Sequence, residues 1–266
     1  VGVSVLVAAT ALAQAPTIAT ITPNSGTGGS NVVIAGTNLS GVTIVRFGGL
    51  AANFTFNSAT QVTAVVPLGA AYAPVTLLRS DGLAAESSTA FSPRFSGGGT
   101  FGTGSLAAKV DIAVGIQPYT AAAADLDGDG KLDFITVNHT NDTGGGQTPG
   151  FLTVLRNTSS GTTISFATAL KFQGVYSGLT PTAVDLDGDG KLDVVVANAL
   201  VGSVSLFKNT STVGSISFAS RVDLATGGSS YGVAVGDIDG DGRPDVILND
   251  VANPKLMVFR NISTQG

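Results

Sequence analysis

The sequence predicts an all-β chain in two parts: a small antiparallel sandwich, then an array of four-stranded units of the propeller type. Three observations carry this. Of 266 residues, 36 are glycine, 10 are proline and only 12% are charged, a turn-rich composition that is too apolar for disorder. Residues 16–92 hold short alternating segments at the roughly 8–12-residue spacing of a sandwich. The second half repeats one nine-residue acidic motif three times, at 125–133, 185–193 and 237–245. The repeat intervals, 60 and 52 residues, lie near the ~40–50-residue period of propeller blades.

The chain opens with Val1–Ala15, an apolar run closing on Ala13-Gln14-Ala15. This reads as the rear part of a secretory signal peptide, with an N-terminal strand as the alternative. Export places the protein outside the cytoplasm: secreted, at the cell surface or in a periplasm. No other run approaches ~18 apolar residues, so no transmembrane helix is expected. The chain has no cysteine, which leaves packing and metal as its stabilising devices.

Segments 17–22, 31–36, 43–47, 60–66 and 73–78 read as strands. Pro23-Asn24-Ser25-Gly26, Gly48-Gly49 and Asp81-Gly82 supply the turns between them. Residues 16–92 resemble the IPT/TIG family of immunoglobulin-like domains. The likeness rests on Ile21-Thr22-Pro23-Asn24-Ser25-Gly26, on Gly29 with Val32–Leu39, and on Val45-Arg46-Phe47-Gly48-Gly49, Val65-Val66-Pro67 and Phe91. The resemblance implies an immunoglobulin-like β-sandwich, a spacer or contact module rather than an activity. Residues 93–105, rich in glycine, read as a linker.

The acidic motif is Asp-Leu-Asp-Gly-Asp-Gly-Lys-Leu-Asp in its first two copies and Asp-Ile-Asp-Gly-Asp-Gly-Arg-Pro-Asp in the third. Positions 1, 3, 5 and 9 are carboxylates: Asp125, Asp127, Asp129 and Asp133; Asp185, Asp187, Asp189 and Asp193; Asp237, Asp239, Asp241 and Asp245. Such a set repels itself unless a cation sits among it. Hard oxygen ligands at these positions suit Ca²⁺, with the backbone carbonyl of position 7 (Lys131, Lys191, Arg243) as a further donor. Glycine at position 6 allows the turn around the ion. About three calcium sites are therefore expected. They hold 12 of the 18 acidic residues, and three Ca²⁺ would move the formal charge from −5 to about +1. The acidity is metal-site charge, and with no basic patch nucleic acid is excluded as a partner.

The loops are not EF-hands. Position 12 is Thr136, Val196 or Leu248 instead of glutamate, and the flanks are short β-branched runs, not helices. Each loop therefore joins two strands. Phe151–Thr158, Ser203–Thr210 and Lys255–Ile262 match one another and read as third strands ending in Arg/Lys-Asn. Ile164-Ser165-Phe166-Ala167 matches Ile216-Ser217-Phe218-Ala219 and reads as the start of a fourth. Four antiparallel strands make a propeller blade. Residues 106–266 resemble the FG-GAP/VCBS repeats, blades also found in integrin α-subunit heads, some lectins and polysaccharide lyases. That resemblance implies a calcium-bearing partial β-propeller with hairpin metal loops. Blades are expected at about 119–173, 179–224 and 231–266, the last incomplete, with Lys109–Val114 as a strand of an opening blade.

The calcium reads as a staple, because four carboxylates and a carbonyl fill most of its shell. Recognition is then expected at the opposite end, on His139–Gly150, Gly174–Thr180 and Gly227–Ser230. Tyr119 and Tyr231 stand six residues before their loops and Tyr176 nine. A tyrosine there can stack on a sugar, or lie half-buried between blades. His139 joins the same face, either in a polar site or as a solvated loop residue. No catalytic constellation is evident: there is no cysteine nucleophile, no serine elbow and one histidine. The expectation is a calcium-binding protein of adhesion, or of recognition of an extracellular glycan or protein. The alternatives are a non-catalytic part of a secreted polysaccharide-degrading enzyme and a passive spacer.

Overall fold

The structure, a computed structural model, describes residues 14–95, 102–139, 149–176 and 178–264. All its regular elements are strands. Val1–Ala13 of the leader reading, much of the glycine-rich linker and most of His139–Gly150 lie outside the described residues.

The first part runs β1 (Thr17–Thr22), β2 (Ser25–Thr27), β3 (Asn31–Thr37), β4 (Val42–Phe47), β5 (Leu50–Ala51), β6 (Phe54–Ser58), β7 (Gln61–Val65), β8 (Ala73–Arg79) and β9 (Ala84–Arg94). One sheet has the order β1-β3-β7-β6 and the other β2-β9-β8-β4-β5. Alternation explains the sandwich. Val32, Ile34, Val62 and Ala64 turn inward from one sheet, Val45, Phe47, Val75, Leu77 and Phe91 from the other, and all are buried in one core. Phe47 and Phe91 meet edge to face, with centroids 4.9 Å apart. Strand β9 runs through Pro93 and Arg94, two residues into the stretch read as linker. Its parallel pairing with β2, Ser25 to Ser92 and Thr27 to Arg94, holds it there.

The second part contains two four-stranded units and one of three strands. The first is β10 (Pro118–Ala124), β11 (Asp133–Asn138), β12 (Gly150–Leu155) and β13 (Leu170–Val175). The second is β14 (Gly178–Val184), β15 (Asp193–Asn198), β16 (Ser203–Phe207) and β17 (Val222–Ala225). The third is β18 (Val233–Gly236), β19 (Asp245–Asp250) and β20 (Lys255–Phe259). All neighbours are antiparallel, as in propeller blades. The middle blade is buried on both faces. Val194 and Val196 pack on Ile135, Val137, Leu152 and Val154 of the first blade. Val195 and Ala197 pack on Val246 and Leu248 of the third. This explains why Val194–Ala197 is an unbroken apolar run.

Two expectations are corrected. The fourth strands begin after Ile-Ser-Phe-Ala, at Leu170 and Val222. The tetrapeptide instead closes a tight hairpin against the end of the third strand, through bridges Asn157–Phe166 and Asn209–Phe218. Phe218 then sets its ring edge-on to Phe172 of the first blade, 5.0 Å away. Lys109–Val114 is not a strand. It has no ladder partner among the described residues, and Val110, Ile112 and Val114 instead line a cavity of about 410 Å³ with Tyr119, Phe134 and Phe166.

Candidate metal centres

Each acidic loop closes the first hairpin of its blade in one register. Asp133 pairs with Ala124, Asp193 with Val184 and Asp245 with Gly236. The position-9 carboxylate therefore starts the second strand, fixed by the sheet and almost wholly buried. The position-6 glycines Gly130, Gly190 and Gly242 have φ of 84°, 87° and 85°, a left-handed conformation that other residues avoid. That turn folds the loop back so that its backbone N–H groups meet its own carboxylates.

The hydrogen bonds repeat in all three loops. Position 1 accepts from the amides of positions 4 and 6: Gly128 (2.8 Å) and Gly130 (3.0 Å) on Asp125, Gly188 and Gly190 (both 2.9 Å) on Asp185, Gly240 and Gly242 (both 2.8 Å) on Asp237. Position 9 accepts from the amide of position 2 on one oxygen. On the other it accepts from Asn157, Asn209 or Asn261, each at 2.8 Å. An ionised carboxylate offers about four lone-pair sites, so each retains capacity for a cation.

The structure brings positions 1, 3 and 9 together. Asp125, Asp127 and Asp133 each present an oxygen within 4.8 Å of the others, as do Asp185, Asp187 and Asp193, and Asp237, Asp239 and Asp245. Each group can hold a metal ion. Asp129, Asp189 and Asp241 at position 5 stand outside these groups. They accept from the amide of position 7 (2.9, 2.9 and 3.0 Å) and face a cation from the third strand. Burial holds Asp133, Asp185 and Asp193 up to a pKa of about 6, with neighbouring carboxylates adding to the shift. Burial also raises Asp125.

Positions 1 and 3 differ in exposure, being buried in the first loop and exposed in the third. The next blade provides the cover. Gly214 of the second blade donates to Asp127 Oδ2 at 3.0 Å. Asn209 Nδ2 donates to the Leu126 carbonyl at 2.8 Å, and Asn261 Nδ2 to the Leu186 carbonyl at 2.7 Å. The same Nδ2 atoms reach the position-8 carbonyls of their own loops, Leu192 at 2.9 Å and Pro244 at 3.0 Å. These asparagines thus tie each loop to the one before it. The recurring Arg/Lys-Asn pair is the sequence signal of this tie, although on its own it marks only the alignment of the repeats.

The tyrosines lie at the other end of the blades. The Tyr176 amide donates to Asn198 Oδ1 at 3.0 Å and the Tyr231 amide to Asn249 Oδ1 at 3.2 Å. Asn138, at the equivalent strand end, donates to the Ile116 carbonyl at 3.0 Å. The Tyr119 and His139 rings are in contact, with centroids 5.1 Å apart. Tyr119 and Tyr231 are 57% and 49% exposed, and so are available to a ligand.

Comparison with known proteins follows this division. The IPT/TIG domain model matches residues 16–93, and the FG-GAP-like repeat model matches 140–196 and 185–248. The chain joins an IPT/TIG domain to FG-GAP-like repeats. The repeat matches span the second and third acidic loops, and the first loop shares their geometry. No curated protein matches the chain. Among solved structures, a protein of unknown function from Bacteroides thetaiotaomicron has a TM-score of 0.32 at 12% identity, covering 95% of this chain and 62% of that one. An auxiliary nutrient binding protein from the same organism has a TM-score of 0.28 at 14% identity, covering 95% and 60%. Another auxiliary nutrient binding protein, from Bacteroides ovatus, has a TM-score of 0.27 at 12% identity, covering 92% and 83%. The chain spans about 60% of the first two. No helix among the described residues is long and apolar enough to cross a membrane.

Proposed function

We propose that the three acidic loops bind Ca²⁺ and that the chain is a calcium-stapled recognition module working outside the cytoplasm. One observation carries this: three carboxylates converge within 4.8 Å in each of three equivalent loops. The donor set is oxygen only, on a hairpin with room for a position-7 carbonyl, which fits a hard cation of flexible geometry. Asp125, Asp127 and Asp133, and their counterparts, would be the carboxylate ligands. Asp129, Asp189 and Asp241 would complete each set, with the carbonyls of Lys131, Lys191 and Arg243. Bound calcium would neutralise carboxylates that otherwise repel one another across a buried turn.

The ligand, an extracellular glycan or protein, belongs at the tyrosine end. The IPT/TIG domain occupies the loop end, where the Ala84 amide donates to the Gly242 carbonyl at 2.8 Å. Tyr119, Tyr176, Tyr231 and His139, towards the other end of the blades, would offer faces on which a sugar can stack. The chain's contribution is binding, not catalysis, since its carboxylates are committed to metal. Calorimetric titration of the full chain with calcium tests the staple, and about three binding events are expected. A glycan array on the calcium-loaded protein tests recognition. Binding that persists in a triple alanine variant of Tyr119, Tyr176 and Tyr231 would reject that face.

A further inference from the structure

Each metal loop faces a cation supplied by its own blade. The residue that follows the third strand is Arg156, Lys208 or Arg260. Arg156 Nη1 lies 3.9 Å from Asp127 Oδ2 and 3.8 Å from Asp129 Oδ2. Lys208 Nζ donates to Asp187 Oδ2 and lies 3.7 Å from Asp189 Oδ2. Arg260 Nε donates to Asp239 Oδ2, and its Nη2 lies 2.8 Å from Asp241 Oδ2. The targets are the same in every blade: the carboxylates of positions 3 and 5.

We propose that this residue is the loop's own counter-ion, a tethered competitor that incoming calcium displaces from positions 3 and 5. The inference rests on the calcium reading given above. Its physical basis is that position 3 belongs to two sets at once. It is one of the three converging carboxylates and also the cation's partner. A divalent ion and an ammonium or guanidinium group on one carboxylate repel each other. Without metal, the cation relieves repulsion among four clustered acids. With metal, it must swing out towards solvent, and partial exposure leaves the way open, since the Lys208 and Arg260 side chains are 44% and 58% exposed. Arg46 of the IPT/TIG domain also faces the second loop, through the Gly190 carbonyl. It is held by the domain interface and stays in place.

The three contacts are graded. Arg156 stands off at 3.8–3.9 Å, whereas Lys208 and Arg260 are in direct hydrogen-bonding contact.

The test compares the full chain with its Lys208→Met variant, which keeps the apolar stem and removes the charge. Calcium binding is followed by calorimetry, and melting is followed in chelator and in saturating calcium. The expected result is roughly three- to tenfold tighter binding in one of three steps, from Coulomb repulsion damped by water and salt. Melting should fall in chelator and hold in calcium. Equal or weaker binding by the variant overturns the proposal, because a residue that merely positions the carboxylates would lower affinity. Wild-type protein that binds no calcium rejects the calcium reading itself and the proposal with it. Should Lys208→Met fail to fold, Arg260→Met, on the more exposed third loop, decides by the same criteria.

Discussion

Arg46 of the IPT/TIG domain donates through Nη2 to the carbonyl of Gly190, 2.5 Å away, at position 6 of the second acidic loop. Position 6 of the third loop is used in the same way, its Gly242 carbonyl accepting from the Ala84 amide at 2.8 Å. The domain thus docks on successive loops through one equivalent atom. Arg46 is buried there, which lowers its pKa against the opposing pull of Asp185, Asp125 and Asp189. The loops are both candidate metal centres and the floor of a domain interface.

That double role predicts a difference between two identical substitutions. Gly130 and Gly190 share a left-handed φ, but a Cβ at Gly130 meets open space, whereas one at Gly190 comes within 2.8 Å of Ile44 Cδ1. Both changes to alanine should cost about 1–2 kcal/mol for the backbone conformation. Gly190→Ala should cost more and should also loosen the domain interface. Thermal melting and limited proteolysis between the domains read the two effects. Equal behaviour of the two variants would show that the interface is not formed in solution.

Asn209→Ala should be among the most damaging single changes in the repeats. It strips a hydrogen bond from two buried carbonyls, Leu126 and Leu192, at a cost of about 3 kcal/mol. Asn157→Ala is the control, because its Nδ2 reaches the Leu132 carbonyl of its own loop. The smaller loss there, measured by denaturant unfolding, isolates the bond between blades.

Asp187→Ala should weaken calcium binding at the second loop by a factor of about ten or more, through loss of a charged ligand. It should lower the melting temperature in calcium. The change also removes one of the two carboxylates that face Lys208. Unchanged affinity in calorimetry would rule out Asp187 as a ligand.

Calcium affinity should fall between pH 7.5 and 5.5. Asp133, Asp185 and Asp193 titrate near 6 in the metal-free protein, so protons compete with metal in that window. These folded pKa values lie above the ordinary value of 3.8. The folded metal-free state therefore binds more protons than the unfolded chain, and their contribution to stability grows as pH falls through 6. Melting in chelator should accordingly lose less stability on mild acidification than melting in calcium. Proton release on calcium binding, growing as pH falls from 7.5 to 5.5, checks the same linkage.

The acidic loops were legible because their carboxylates are local: Asp125 to Asp133 is a single hairpin, and the glycine positions state the turn. The sandwich was legible from alternation, as in Val32 and Ile34. What sequence could not show was partnership at a distance. Leu126 and Asn209 are 83 residues apart, and Arg46 and Gly190 are 144 apart. Ile164–Ala167 misled because a short alternating tetrapeptide looks the same in a strand as in a bridge-closed hairpin. Lys109–Val114 misled for a related reason. Its alternation is real, with Val110, Ile112 and Val114 on one side, but a strand also needs a ladder, and none runs beside it.

The asparagine link also bears on how such a chain can change its copy number. Asn209 looks back to Leu126 as Asn261 looks back to Leu186, so both junctions among the described residues share this link. Gain or loss of one whole repeat, cut at any equivalent point, leaves each internal carbonyl with a donor. A cut at any other phase separates an asparagine from the loop it closes and strands buried acceptors. Duplication in this fold is therefore quantised: unequal exchange in the gene yields a folded protein only when it moves a complete blade.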